Sequence, residues 1–320
     1  MANVITDKPI GIDVQPKRYH FIIDILRRLL QEKPMGILGG TIVLILLLSG
    51  IFADVLAPYN MNEVDLINRL LPPSPQFLLG TDHLGRDLLS NIIYGAQISV
   101  IIGLSCACLS TLISVAIGTF SGLLGGKLDM LVQRFVDGWM CIPTLLVTIT
   151  LMSIVGKGML QIILVISMTM GIVGSRVVRS AVIGIKENTY VEAAHVIGCS
   201  NWRLIVHHIL PNILAPIIIN FTLTVGQAIM IEASLSFLGF GVPPGVPSWG
   251  SMLSAEGRQF MERAPQLALY PGLALAITIY GINMFGDALR DLTDPRLRGG
   301  LGSYRISDKL KRKMSNANNE

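Results

Sequence analysis

Charge is scarce in this 320-residue chain: Asp, Glu, Lys and Arg make up 14% of it, against 51% hydrophobic residues. Mean hydropathy is +0.60. So few charges could not cover the long apolar runs described below, which argues against buried helices in a large water-soluble protein. Cysteine is also sparse, at four. Cys106, Cys108 and Cys141 fall within apolar runs and Cys199 on a segment read below as cytoplasmic, so no disulfide framework is implied and small buried hydrophobes are the expected role. A phosphate loop is missing: the nearest approach, SGLLGGKL at residues 121–128, has Ser121 at the first-glycine position and Leu128 where Ser or Thr belongs. The chain cannot hydrolyse ATP by itself, so energy for any pumping must come from a partner or a gradient. No serine or cysteine nucleophile motif and no paired carboxylates occur at membrane depth, which predicts a non-catalytic subunit without a cofactor. Metal ligation is not expected either. His195 and Cys199 are separated by the helix-breaking Gly198, His207 and His208 face different directions, and His83 stands alone beside Asp82 and Asp87. Internal repeats of the solenoid kind are absent.

What is present is a set of six apolar runs, at about 35–57, 96–122, 138–156, 159–179, 213–236 and 267–286. About 20 apolar residues span the roughly 30 Å hydrocarbon layer as a helix, because helical backbone groups satisfy one another where no water is available. The fold class predicted is an all-α membrane protein with six transmembrane helices. About 34 mostly polar residues precede the first run, which is too long for a cleaved signal, so it is expected to remain as an anchor. Twenty of the 25 Lys and Arg residues fall on one side if the N-terminus is inside, which predicts a multi-pass plasma-membrane protein with both termini cytoplasmic. The net charge of +4 reflects this sidedness and is no nucleic-acid signal.

The organisation expected is a cytoplasmic arm at 1–34 with an interfacial helix at 21–30, a first span at 35–57, an outer segment at 58–95, a core at 96–287 and a cytoplasmic tail at 288–320. The first outer segment opens irregularly, with Pro58 and LPPSP at 71–75, and residues 88–95 can run helically into the second span. In that span Gly118 and Gly122 have the spacing that lets two helix backbones approach closely. The last outer segment is irregular and then reads as a short amphipathic helix over 251–263, with Trp249 at headgroup level. Glu232 and Gln227 are the candidate pathway residues, with Asn220 and Asn283 as polar companions. Asp287 is a weaker candidate that Arg290 could pair, since ionisable groups facing lipid are costly.

Between the fourth and fifth runs lies NTYVEAAHVIGCSNWRLIVHHILPN, residues 188–212. Thr189 and Glu192 have capping-box spacing and predict a helix start, which Gly198 ends in the left-handed conformation. Ser200 or Asn201 then caps a second helix over 202–209, expected to stop before Pro211. A compact helix-turn-helix knob of this kind suits docking into a partner's groove.

Glu192, Ala193, Ala194, Gly198, Leu210 and Pro211 resemble the EAA loop of ABC-transporter permeases, with His208 departing from the isoleucine of the general pattern. The paired histidines and the ILPN ending resemble the dipeptide, oligopeptide and nickel branch. So does GTDHLGRDLLSNIIYGAQIS at 80–99, with Gly80, Thr81, Asp82, Gly85, Arg86, Asp87 and Ser90 in place. ASLSFLGFG at 233–241, PSWG at 247–250 and DALRDLTDPRLRG at 287–299 add to it, and the whole is similar to the C-type permease subunit. The resemblance implies a type I ABC importer of peptides. Its implied partners are a second homologous permease in a heterodimer, two ABC ATPase subunits, an extracytoplasmic solute-binding protein and membrane lipid, with no nucleic acid. The first helix of the knob would then be the coupling helix. Nickel or another small solute is the alternative cargo. An ion-coupled secondary transporter would be expected to show broken helices and midplane charges, which are scarce here.

Overall fold

The computed structural model describes residue 29 and residues 33–254, 258–260 and 262–293. The helix expected at 21–30 and most of the tail expected at 288–320 lie outside the described residues. Every element among those residues is helical apart from one isolated bridge, Thr81 to Asp87. Among the described residues five helices are long and apolar enough to cross a membrane: α1 (Pro34–Ile51), α3 (Leu88–Leu124), α6 (Met159–Lys186), α9 (Leu214–Phe237) and α11 (Gln266–Thr293). A short α2 (Ala53–Leu56) follows α1 after a break at Phe52.

The third expected span, 138–156, is bent rather than continuous, and it makes a sixth span only if the bent pair is taken as one. Its residues divide between α4 (Gly126–Met140) and α5 (Thr144–Val155), which meet at 89°. Pro143 causes the break: it has no N–H to continue α4, and it disfavours helical angles at Ile142. At 1.5 Å per residue the 12-residue α5 is only about 18 Å long, short of a full crossing. α4 is instead amphipathic, with Lys127, Asp129, Arg134 and Asp137 among its residues.

In lipid, helices associate through close packing and interhelical hydrogen bonds. The most extensive contact is α3 against α6. A Cβ on Gly118 would lie 2.6 Å from the Ser175 carbonyl oxygen, and one on Gly171 would lie 2.7 Å from Ile113. These glycines therefore let the two backbones touch, as the spacing of Gly118 predicted. Ser114 Oγ donates to the Gly171 carbonyl at 2.9 Å across the same seam. Beside it, Ile102, Met152, Ile162, Ile166 and Leu235 form the central apolar cluster. α1 packs on α11, where Gly39 and Gly281 permit close approach and Lys33 Nζ bonds Asp291 at 2.6 Å.

Two ends result. At one lie the segments preceding α3 and following α9; at the other lies α7 (Thr189–Val196), carried on the end of α6. The expected helix over 251–263 is not one element: α10 (Trp249–Met252) starts earlier, on a reciprocal Ser248–Ser251 capping box, and stops at Leu253.

Candidate functional site

The α7 end is built on a reversal. Asn188 is the only residue between the C-cap of α6, Glu187, and the first residue of α7, and its side chain donates back to the Ile185 carbonyl at 3.1 Å. The expected capping box is therefore absent. Thr189 is already helical, and the Glu192 amide bonds the Asn188 carbonyl at 3.2 Å. Gly198, with φ +91°, ends the turn as expected, and the Ser200 side chain accepts from the Arg203 amide at 3.4 Å. The second helix does not stop before Pro211. α8 (Asn201–Arg203) widens into a π-turn at Leu204–Ile209 and then tightens into a 3-10 turn at Leu210–Asn212. The wide turn absorbs the N–H missing at Pro211, while Asn212 Nδ2 donates to the His208 carbonyl at 2.6 Å.

Only Val191 of α7 is buried. Glu192 and Ala193 are exposed and Ala194 is partly so, as is Leu210, while Gly198 and Pro211 are exposed. Around them stand apolar side chains with no cover: Tyr190 is 44% exposed, Val196 80%, Ile197 83% and Trp202 68%. Composition patterning had not singled these four out, although an apolar residue outside the spans could have signalled them. A cleft of ≈ 860 Å³, lined by Gly125, Asp129, Lys186, Glu192 and His195 among others, separates α7 from α4. α7 thus stands clear of the bundle, attached through α6 and the Leu204–Ile213 base, where Leu204, Ile205, Ile209 and Ile213 are buried.

α4 is tied to α6 by charge. Arg179 donates to Asp129 through Nε at 2.6 Å and through a terminal nitrogen at 2.5 Å, and Ser121 Oγ also donates to Asp129. Arg176 pairs with Asp137 two turns further along α4. Removing one partner of the half-shielded Arg179 pair is expected to cost about 2 kcal/mol. Arg179→Ala should lower the thermal midpoint of the purified subunit, and the reversal Asp129→Arg with Arg179→Asp should recover part of the loss. Equal midpoints in wild type and Arg179→Ala would refute the tie.

The opposite end gathers the 80–87 signature into a self-bonded knot. Asp82 Oδ1 accepts from the amides of Leu84 and Arg86 at 2.8 and 2.9 Å, and its Oδ2 accepts from Arg86 Nε at 2.7 Å. Thr81 Oγ1 bonds the Asn68 carbonyl and accepts from the Leu71 amide at 2.8 Å. Asp87 caps α3 through the Ser90 amide at 2.8 Å. Gly80 and Gly85 have φ of +86° and +79°, and a Cβ on Gly85 would collide with the Asp65 backbone, so only glycine fits. Trp249 is not at a surface. It is 3% exposed, its Nε1 donates to the Ile92 carbonyl at 3.1 Å, and its ring lies over Gly95.

Glu232 and Gln227 are not brought together. Gln227 is exposed on α9, on the side that also carries Asn220 and Ser234 at seven-residue intervals. Glu232 is 1% exposed on a different side, where it accepts from Ser236 Oγ at 2.6 Å; Ser236 Oγ in turn accepts from the Val242 amide at 3.3 Å. Its carboxylate anchors the loop after α9. Neither His83, which stacks on Phe260 at 5.8 Å, nor His208, whose ring lies 6.5 Å from Tyr190, joins a cluster of three metal-binding side chains among the described residues.

Residues 114–299 match the family described as "Binding-protein-dependent transport system inner membrane component". The chain belongs to this family. Residues 21–73 of the permease match the N-terminal transmembrane domain of oligopeptide transport permease C. It is 37% identical over 269 residues to the dipeptide transport system permease protein DppC of Alkalihalophilus pseudofirmus, covering 84% of this chain and 88% of the relative. To the oligopeptide transport system permease protein OppC of Bacillus subtilis it is 38% identical over 268 residues, covering 84% and 88%. The glutathione transport system permease protein GsiD of Pectobacterium atrosepticum is 34% identical over 275 residues, with 85% and 90% covered. Among solved structures, an inward-facing MetNI methionine ABC transporter chain superposes with a TM-score of 0.52 at 18% identity, covering 64% of this permease and 97% of that chain. The superposition concerns fold alone. Membership makes this permease a multi-pass membrane component of a binding-protein-dependent system.

Proposed function

We propose that the chain is the C-type permease subunit of an ATP-driven ABC importer that carries peptides inward across the plasma membrane. The observation that carries the reading is the bare apolar tip around α7, held off the bundle on a base whose apolar side chains are buried. Exposed apolar side chains flanking a short helix, outside any span, mark a protein-docking surface. α7 is then the coupling helix: Ala193 and Ala194 allow close docking, Glu192 and Gly198 set the shape, and Leu210 and Pro211 close the base. ATP-driven closure of two ATPase subunits moves α7, and α6 carries that motion into the bundle. The distribution of basic residues supports a cytoplasmic position for α7 and both termini, with the 58–87 and 238–265 segments facing an extracytoplasmic solute-binding protein.

The relatives named for dipeptides, oligopeptides and glutathione favour peptide cargo over nickel. A second, B-type permease completes the pathway. The Asn220, Gln227 and Ser234 side of α9 is its lining in this subunit, because an exposed amide is expensive against lipid but not against water or a polar solute. Glu232, buried in the fold, supports the lining rather than forming it. In the assembled transporter, Gln227→Cys should react with a hydrophilic methanethiosulfonate reagent at a rate that changes severalfold with nucleotide. A reaction confined to lipid-soluble thiol reagents would show that this side faces the bilayer.

A further inference from the structure

The signature knot and the loop after α9 enclose a cavity of ≈ 360 Å³. This volume is in the range of small-ligand sites. Arg86, Lys157 and His83 line it, together with Asn91 and the Pro243–Pro244 turn. The one acid among the described lining residues, Asp82, is already neutralised. Both carboxylate oxygens are taken, by two backbone amides and by Arg86. Lys157 is exposed on the turn between α5 and α6 and pairs with no carboxylate among the described residues. Asn91, in the first turns of α3, is 3% exposed and lines the cavity. A side-chain amide offers both a donor and an acceptor to a ligand. Leu88, Val242 and Met252 supply apolar wall.

We infer that this cavity is a receiving site for a carboxylate-bearing solute, with Lys157 as the charge partner and Asn91 as the hydrogen-bonding partner. On the import reading, on which the assignment rests, the solute is a short peptide held by its terminal carboxylate as it leaves the binding protein. Among the described lining residues the uncompensated charge is positive, which disfavours a metal cation. The Pro- and Gly-rich loop that closes the cavity is fixed from beneath by the Ser236 bridge to Glu232, which makes Glu232 a positioning residue for this site.

The test uses the complete transporter in lipid nanodiscs, without binding protein, and saturation-transfer NMR with two probes, dialanine and its C-terminal amide. Dialanine should bind at least tenfold more tightly than the amide, and Lys157→Gln should abolish that preference while leaving amide binding unchanged. Asn91→Leu should weaken dialanine binding severalfold. Equal binding of acid and amide overturns the site, and so does a preference that survives Lys157→Gln. Docking of the cognate binding protein is titrated in parallel. If Lys157→Gln weakens docking but leaves dialanine binding intact, the cavity is a contact for that protein and the solute site is wrong. Dipeptide uptake by proteoliposomes with binding protein separates the two readings. Absence of uptake removes the peptide reading itself, whereas uptake without carboxylate-dependent binding removes the cavity alone.

Discussion

Gly198→Pro should reduce uptake by more than about tenfold and release the ATPase subunits, while the subunit still inserts into the membrane. Gly198 has φ +91°, which proline cannot adopt, and its amide donates to the His195 carbonyl at 3.0 Å, a bond proline lacks. Strain and the lost bond together cost about 2–3 kcal/mol, enough to redirect the chain between α7 and α8. Gly198→Ala isolates the conformational part. A Cβ there meets nothing within 4 Å, so it should cost only about 1–2 kcal/mol and leave partial uptake. Transport and co-purification of the ATPase are the readouts. Wild-type values for Gly198→Pro would remove the shape of this turn from the mechanism.

Gly118→Leu has the second large effect expected, and it acts on the bundle. The new Cβ would lie 2.6 Å from the Ser175 carbonyl oxygen and 2.8 Å from Val178 Cβ, so α3 and α6 must part along their main seam. Overpacking of this kind costs about 1–3 kcal/mol or more, because backbone cannot yield as a side-chain end can. Gly184→Leu is the matched control, as nothing lies within 4 Å of a Cβ at that position on the partner helix α6. The detergent-solubilised subunit should show a clear drop in thermal midpoint for Gly118→Leu and little change for Gly184→Leu. Similar midpoints for the two would place the α3–α6 seam outside the stabilising core.

Hydropathy made most of the bundle legible, because apolar length is the property that a membrane demands of a helix. α1, α9 and the start of α11 lie close to the runs that predict them. The apolar run at about 159–179 is shorter than α6, which continues to Lys186 with Arg176 and Arg179 neutralised by α4. Pro143 was overlooked inside an apolar run, although its missing N–H turns that run into a bend of 89°. At α7 the local pattern of Thr189 and Glu192 lost to an upstream demand. Asn188 serves the α6 terminus, which leaves no room for a separate cap. Gly198, by contrast, was readable because its backbone conformation depends on little beyond itself.

The loop end was least legible. Its segments were recognisable one at a time, but their contacts join residues more than 150 positions apart, as between Trp249 and Ile92. Glu232 attracted attention as an intramembrane acid, and only the fold reveals that it serves a loop rather than an open face. The exposed tip of Val196, Ile197 and Trp202 carries no periodic signal, since three residues around a turn form no stripe.

The central claim is that α7 is an inward handle gripped by a separate ATPase, and cysteine cross-linking at Ala194 tests it most directly. In a background with the four native cysteines replaced, Ala194→Cys should cross-link to the ATPase subunit in a nucleotide-dependent manner. It should react with a membrane-impermeant maleimide in inverted vesicles and not in intact cells. Labelling in intact cells, or no ATPase adduct in a transport-competent complex, would contradict the account.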